Sequence, residues 1–201
     1  MTDNTPDRDA AWVTIDTPLP ADVLLTLCRD PERLLRINSM YEFSTWRHTA
    51  PDEYAMRLVN HATGGTMDTA LSVTTDTDGM VIRYASGLKT ATSVRVEPME
   101  AGSRLTLIDE YSRATEEERL ARIDEVDRSL TQWGHDLHHY FRHWHRWSRF
   151  APWRWYMRRV WQPMRPSARR ITFMLLAISL FEIAAFIGIF AIFALEQNRA
   201  G

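Results

Sequence analysis

The chain has 201 residues, 45% hydrophobic and 25% charged, with a formal net charge of −2, which suits one domain with a sizeable core plus an additional segment. Its lone cysteine, Cys28, excludes an internal disulfide and agrees with a reducing compartment. The net charge conceals strong segregation: residues 1–141 hold 14 Lys+Arg against 24 Asp+Glu, whereas residues 142–170 hold nine arginines and no acid.

The opening "MTDNTPDRDA" is polar and acidic, without the apolar core of a cleaved signal peptide, and residues 1–9 are expected to be disordered. "AWVTIDT" alternates apolar and polar positions, a strand pattern ended by Pro18 and Pro20. "ADVLLTLCRD" changes to helical spacing. "DPERLLRI" starts a second short helix, with Asp30 as N-cap, Pro31 at the first position and Glu32 in the first turn.

From Tyr41 to Ser112 six strand-like runs follow: "YEFSTWRHT", "EYAMRLVNHA", "TMDTALSVTT", "GMVIRYAS", "KTATSVRVE" and "SRLTLIDEYS". The breaks between them are short and rich in turn residues, which predicts an antiparallel meander. Residues 115–148 return to helix, with Leu120, Ile123, Val126, Leu130, Trp133, Leu137, Tyr140, Trp144 and Trp147 stepping by three and four. An apolar sheet face and an amphipathic helix of this length can each bury the other.

This order of elements, together with "TPLPADVLLTLCRDPERLLRINSMYEFSTW", resembles the START-like, helix-grip superfamily of lipid-transfer, polyketide cyclase and coenzyme Q-binding relatives, over about residues 10–150. The resemblance implies an α+β fold in which strand, two helices, six-strand meander and long helix enclose an apolar cavity; it implies no shared catalytic signature. A C-terminal membrane span departs from the usual soluble member.

That span is "ITFMLLAISLFEIAAFIGIFAIFAL", residues 171–195, with Glu182 as its one charge; 25 residues of helix rise roughly 37 Å, enough for a bilayer. Residues 196–201 form a short tail. Arginines crowded before the span predict a cytoplasmic flank by the positive-inside rule. The expected placement is therefore a bacterial-type inner membrane, crossed once, with the N-terminal domain cytoplasmic. In residues 151–170 Trp153, Arg154, Trp155, Arg158, Arg159, Trp161, Arg169 and Arg170 interleave aromatic and basic groups as segments lying in the membrane interface do. The adjoining span argues against nucleic acid as the partner. Pro163 and Pro166 are expected to break the helix between that segment and the span.

Glu182 lies near the bilayer midplane, where a charged carboxylate is costly, so it is expected to be protonated or to meet another protein's helix. Ala177, Ala184, Gly188 and Ala191 make a small-residue stripe on another face, roughly 140° away at 100° per residue. Together these residues are the candidates for association within the membrane.

"HDLHHYFRHWHRW", residues 135–147, raises a metal site as an alternative, because His135, His139 and His143 fall at i, i+4 and i+8. At 100° per residue they project opposite Leu137, with no cysteine or second carboxylate to complete a ligand set, and a solvated or headgroup-facing row is expected instead. No metal or cofactor is assigned. Met56, Tyr84, Asp109 and Tyr111 alternate onto one sheet face by parity and are the candidates for lining a ligand cavity.

No phosphate loop or catalytic triad is supported, and a non-enzymatic role is expected. Two readings remain: a binder of a lipid, isoprenoid or quinone at the cytoplasmic membrane face, or an accessory subunit docking into a larger membrane complex through its span. A cyclase-type enzyme stands third.

Overall fold

The computed structural model describes residues 10–113 and 116–200, apart from the side chains of residues 116–128, 193, 194, 196 and 198–200. The N-terminal nine residues, expected to be disordered, lie outside it, as do the side chains of Leu120, Ile123 and Val126. The chain divides into a compact unit ending at Pro163 and a second unit from Met164 onward.

In the first unit β1 (Ala10–Thr17) is followed by α1 (Ala21–Cys28) and α2 (Pro31–Ile37), then by β2 (Tyr41–Ala50), β3 (Glu53–Asn60), β4 (Gly65–Thr75), β5 (Gly79–Tyr84), β6 (Ala91–Met99) and β7 (Gly102–Glu110). The long helix α3 (Glu116–Trp147) comes next, then α4 (Ala151–Tyr156), which runs into a π-helical turn over Met157–Trp161. All seven strands form one antiparallel sheet in the order β1-β7-β6-β5-β4-β3-β2. This is the expected meander, with β1 paired onto its last strand. Sheet, paired helices and grip helix together make the expected α+β helix-grip fold.

Local chemistry explains most boundaries. Asp30 accepts a hydrogen bond from the Arg33 amide at 3.0 Å and Pro31 occupies the first helical position, so α2 starts where its cap dictates. Strand β7 buries every second residue, from Ser103 through Leu105 and Leu107 to Asp109, as a sheet with one covered face requires. Register shifts at Phe43/Thr45 and His48/Ala50 interrupt β2, and such irregularities bend a strand. The β6–β7 turn closes on Gly102 at φ 103°, where a Cβ would stand 2.1 Å from the Thr17 carbonyl oxygen; only glycine fits.

The covered face of the sheet receives α3. Leu130, Trp133, Leu137, Tyr140, Phe141 and Trp144 are buried together with Ile15, Met56, Leu58, Met80, Ile82, Val94, Leu105 and Leu107. Trp147, assigned to the apolar stripe from sequence, is instead 46% exposed. At 100° per residue it falls about 80° from Leu137, while Phe141, absent from that stripe, falls about 40° away and is buried. Two contacts fix the helix: the Trp133 indole N–H donates to the Leu34 carbonyl of α2 at 3.2 Å, and Gly134 lets the backbone approach β1 so closely that a Cβ would lie 2.8 Å from Val13 Cγ2.

The second unit is α5 (Pro166–Ala200). Over Pro166–Ile192 it is long and apolar enough to cross a membrane, and residues 173–192 are all exposed. As expected, the chain leaves helix between Trp161 and Pro166. The helix continues into the short tail, to Ala200.

Filling the space above Val13 should loosen the grip. Gly134→Val is expected to destabilise the first unit by about 1–3 kcal/mol through overpacking, with Val13→Ala in the same chain recovering part of the loss. Urea unfolding of the two variants against wild type measures the coupling; additive effects would contradict the close approach.

Candidate functional site

Beneath Trp133 the otherwise apolar sheet face carries a polar cluster. Asp109 on β7 is fully buried and forms an ion pair with Lys89, whose side chain is 11% exposed. Thr92 on β6, cross-strand neighbour of Asp109, donates to its Oδ1 at 2.5 Å, and the Tyr111 hydroxyl donates to Oδ2 at 3.5 Å. Tyr84 on β5 extends the cluster, its hydroxyl 3.1 Å from Thr92 Oγ1. The Lys89 ammonium also stands 5.6 Å from the Trp133 ring centroid, within cation–π range. Asp109 is therefore compensated by one cation and two hydroxyls, which is the condition under which a charge survives burial.

Electrostatics follow from that geometry. Burial works against the Lys89 charge, yet the adjacent Asp109 carboxylate holds its pKa well above the ordinary lysine range. Burial pushes the Tyr84 and Tyr111 phenols well above their ordinary values, opposed by the Lys89 charge. All three groups thus stay protonated at neutral pH.

The cluster has an outlet. Lys89 and Tyr111 border an open cleft of about 400 Å³ whose walls include Tyr41, Leu58, Met67 and, from α3, Ser129. Its entrance runs past the β3–β4 turn and the β5–β6 connection, through residues such as Thr63 and Gly87. The cleft joins an apolar wall to one cation and two phenols, Tyr41 and Tyr111, an arrangement able to hold an apolar body and orient a polar end.

Of the four residues expected to line a cavity, Tyr111 borders this cleft and Asp109 lies behind it through Lys89. Tyr84 shares the inward face but is joined to the cleft through Thr92 and Asp109, and Met56 belongs to the packed core. Lys89 was missed by sequence reading. The signal existed: it is the single lysine of the chain, and the inward position of Asp109 on an alternating strand demands a cation.

His135, His139 and His143 are exposed on the outer side of α3, as their projection required. Among the described residues, no three His, Cys, Asp or Glu side chains are placed to hold a metal ion. The aromatic–arginine segment is not uniformly outward. The Trp153 ring packs tilted against Trp144, centroids 5.4 Å apart, and Trp161 against Tyr140 at 5.8 Å, while Trp155 is 62% exposed and Arg154, Arg158 and Arg159 are exposed. Trp153 and Trp161 pack partly buried against the core, and the compact first unit runs to Pro163. On α5, Arg170, Ala177, Glu182, Ala184, Gly188 and Ala191 are exposed and Arg169 is half-buried.

No family model matches the chain and no curated protein matches it. Solved structures do. A START superfamily protein from Mycobacterium smegmatis superposes with a TM-score of 0.54 at 10% identity, over 66% of this chain and 97% of that one. The di-domain ARO/CYC StfQ from the steffimycin biosynthetic pathway aligns with a TM-score of 0.48 at 11% identity, over 66% of this chain and 50% of that one. A protein from Arthrobacter aurescens aligns at 0.46 and 17% identity, over 63% and 84% of the two chains. On the likeness to the Mycobacterium smegmatis protein, the first unit has the START-like fold, followed in the chain by an apolar C-terminal helix.

Removing one partner of the buried pair is expected to cost much more than removing both. Lys89→Met strands Asp109 and should destabilise by about 3–5 kcal/mol, whereas Lys89→Met with Asp109→Leu should recover most of that; thermal unfolding by circular dichroism compares them. The raised values of Lys89, Tyr84 and Tyr111 all leave the folded state binding more protons at alkaline pH. Their contribution is thus fully present below the unfolded-state values near pH 10 and is lost as pH rises through the folded ones. Melting temperature should hold up to about pH 10 and fall above it; a flat profile to higher pH would contradict the cluster.

Proposed function

We propose that the first unit binds a hydrophobic ligand of lipid, isoprenoid or quinone type at the cytoplasmic face of a bacterial-type inner membrane, to which α5 anchors it as a single span. The observation that carries this reading is the cleft of about 400 Å³ bordered by Lys89 and Tyr111. Met67 and Leu88, both half-buried, offer apolar surface to a chain or ring, and the Lys89 ammonium and the phenols offer donors to a carbonyl, hydroxyl or phosphate end. The START-like fold supports the same reading, and so does the exposed apolar helix, which would keep the cleft beside its source of ligand. The role is non-enzymatic: Lys89 is held as an ammonium by Asp109 and so is not a nucleophile or a base at neutral pH.

Filling the cleft tests the reading. Met67→Trp adds bulk to a half-buried wall residue and should lower the yield of copurified apolar small molecule by roughly tenfold, an affinity loss of about 1.4 kcal/mol, without loss of folded protein. Mass spectrometry of organic extracts from wild type and variant is the measurement; extracts without any stoichiometric apolar compound would reject the reading.

A second reading, an accessory subunit of a membrane complex, is favoured by Glu182, an exposed carboxyl in the middle of the apolar helix. Glu182→Leu removes an insertion cost, so membrane retention should be unchanged or better while recovery of partner protein falls. The expected loss is about 0.6–2 kcal/mol, typical of intramembrane hydrogen bonds. Glu182→Gln should keep much of the association if the carboxyl is protonated. Native mass spectrometry at matched membrane levels decides, and equal recovery of copurifying protein across all three chains would leave Glu182 without this role.

A further inference from the structure

A second buried cation lies further along the grip helix and is compensated differently. Arg33 of α2 is 6% exposed. Its Nε and Nη2 donate to the Tyr140 hydroxyl at 2.9 and 2.6 Å, and its guanidinium carbon stands 4.3 Å from the Trp144 ring centroid. Both partners are neutral. Among the described residues no carboxylate forms an ion pair with Arg33, Arg158 or Arg159.

These three arginines and Arg36 border one cleft of about 290 Å³, shared with Asp30 and Glu32. The two carboxylates already have tasks. Asp30 caps α2 through the Arg33 amide, and Glu32 bridges Arg36 at 2.7 Å. Arg158 and Arg159 reach the cleft from the π-helical turn Met157–Trp161, a rare conformation that recurs at functional sites. It is pinned by buried Met157 and by Trp161, whose ring lies tilted against Tyr140. Four guanidinium groups against two engaged carboxylates leave an excess of positive charge around a cavity of small-anion size.

We infer that this cleft is a binding site for a phosphate-bearing anion, held by Arg33, Arg158 and Arg159. The planar guanidinium fork matches phosphate oxygens two at a time, and Arg33 has its orientation fixed in advance by Tyr140 and Trp144. The anion would supply the negative charge that its phenol and indole neighbours lack. A phospholipid headgroup and a soluble phosphate share this chemistry. The site differs from a diffuse attraction of basic residues to a membrane, because it depends on fork geometry as well as on charge. It also stands independently of the apolar ligand proposed for the Lys89 cleft, since Trp133 and Trp144, which mark the two sites, are eleven residues apart on α3, roughly 16 Å.

The test uses the full chain in a neutral detergent, with Arg158→Lys/Arg159→Lys and Arg158→Gln/Arg159→Gln as variants; both arginines are exposed, and circular dichroism checks that folding is kept. Native mass spectrometry compares retention of added phosphatidylglycerol with that of diacylglycerol, which lacks the phosphate. Thermal shift compares inorganic phosphate with chloride at equal ionic strength. Selective retention of phosphatidylglycerol, reduced roughly tenfold in both variants, supports the site and assigns it to lipid. Selective stabilisation by inorganic phosphate, lost in both variants, supports it and assigns it to a soluble anion. No phosphate selectivity in either assay overturns the inference. So does a lysine variant that binds as wild type does, since charge alone would then suffice.

Discussion

Everything else in the first unit depends on how closely α3 lies against the sheet. Gly134 brings the helix backbone against Val13 of β1, and Trp133 beside it is fully buried with its indole N–H satisfied by Leu34. A side chain of this size occupies most of the space between helix and sheet, and interiors tolerate little void. The enclosed volume is thus filled by Trp133, Leu137 and Phe141 at its centre, while open volume survives beside Lys89 and Tyr111 and again beside Arg33. Where the helix sits decides where a ligand can go.

The two buried cations show two solutions to one problem. A charge removed from water needs an opposite charge and hydrogen bonds in good geometry. Lys89 has the opposite charge in Asp109, whose carboxylate also accepts from the Thr92 and Tyr111 hydroxyls. Arg33 has a phenol oxygen and an aromatic face, partial compensation that suits a group whose second partner arrives from outside. Cys28 illustrates the opposite case: burial pushes its thiol up to about 12, which makes it a packing residue and not a nucleophile.

The second unit has a different pattern of exposure. Phe173, Leu180, Phe181, Phe186 and Ile189 are each more than two-thirds exposed, a distribution unfavourable in water and natural in hydrocarbon. With no apolar stripe set against a polar one, the helix is patterned for lipid or for other helices on every side.

Short-range pattern accounts for the elements. Asp30–Pro31, the turn residues between strands and the period-two burial of β7 act within a few residues, so strand order, helix starts and the break before Pro166 were legible locally. The outward histidine row was equally legible, because helical projection needs no partner. Which distant groups meet depends instead on how the elements pack. Lys89 and Asp109 are twenty residues apart, and Arg33 and Tyr140 more than a hundred; sheet register and helix docking bring them together, and neither leaves a local periodic signal. Trp153 and Trp161 looked like interface anchors from their neighbours alone, yet the turn after Trp147 folds them back onto Trp144 and Tyr140. An aromatic side chain gains as much by covering a core as by entering a membrane interface, and only the path of the backbone distinguishes the two.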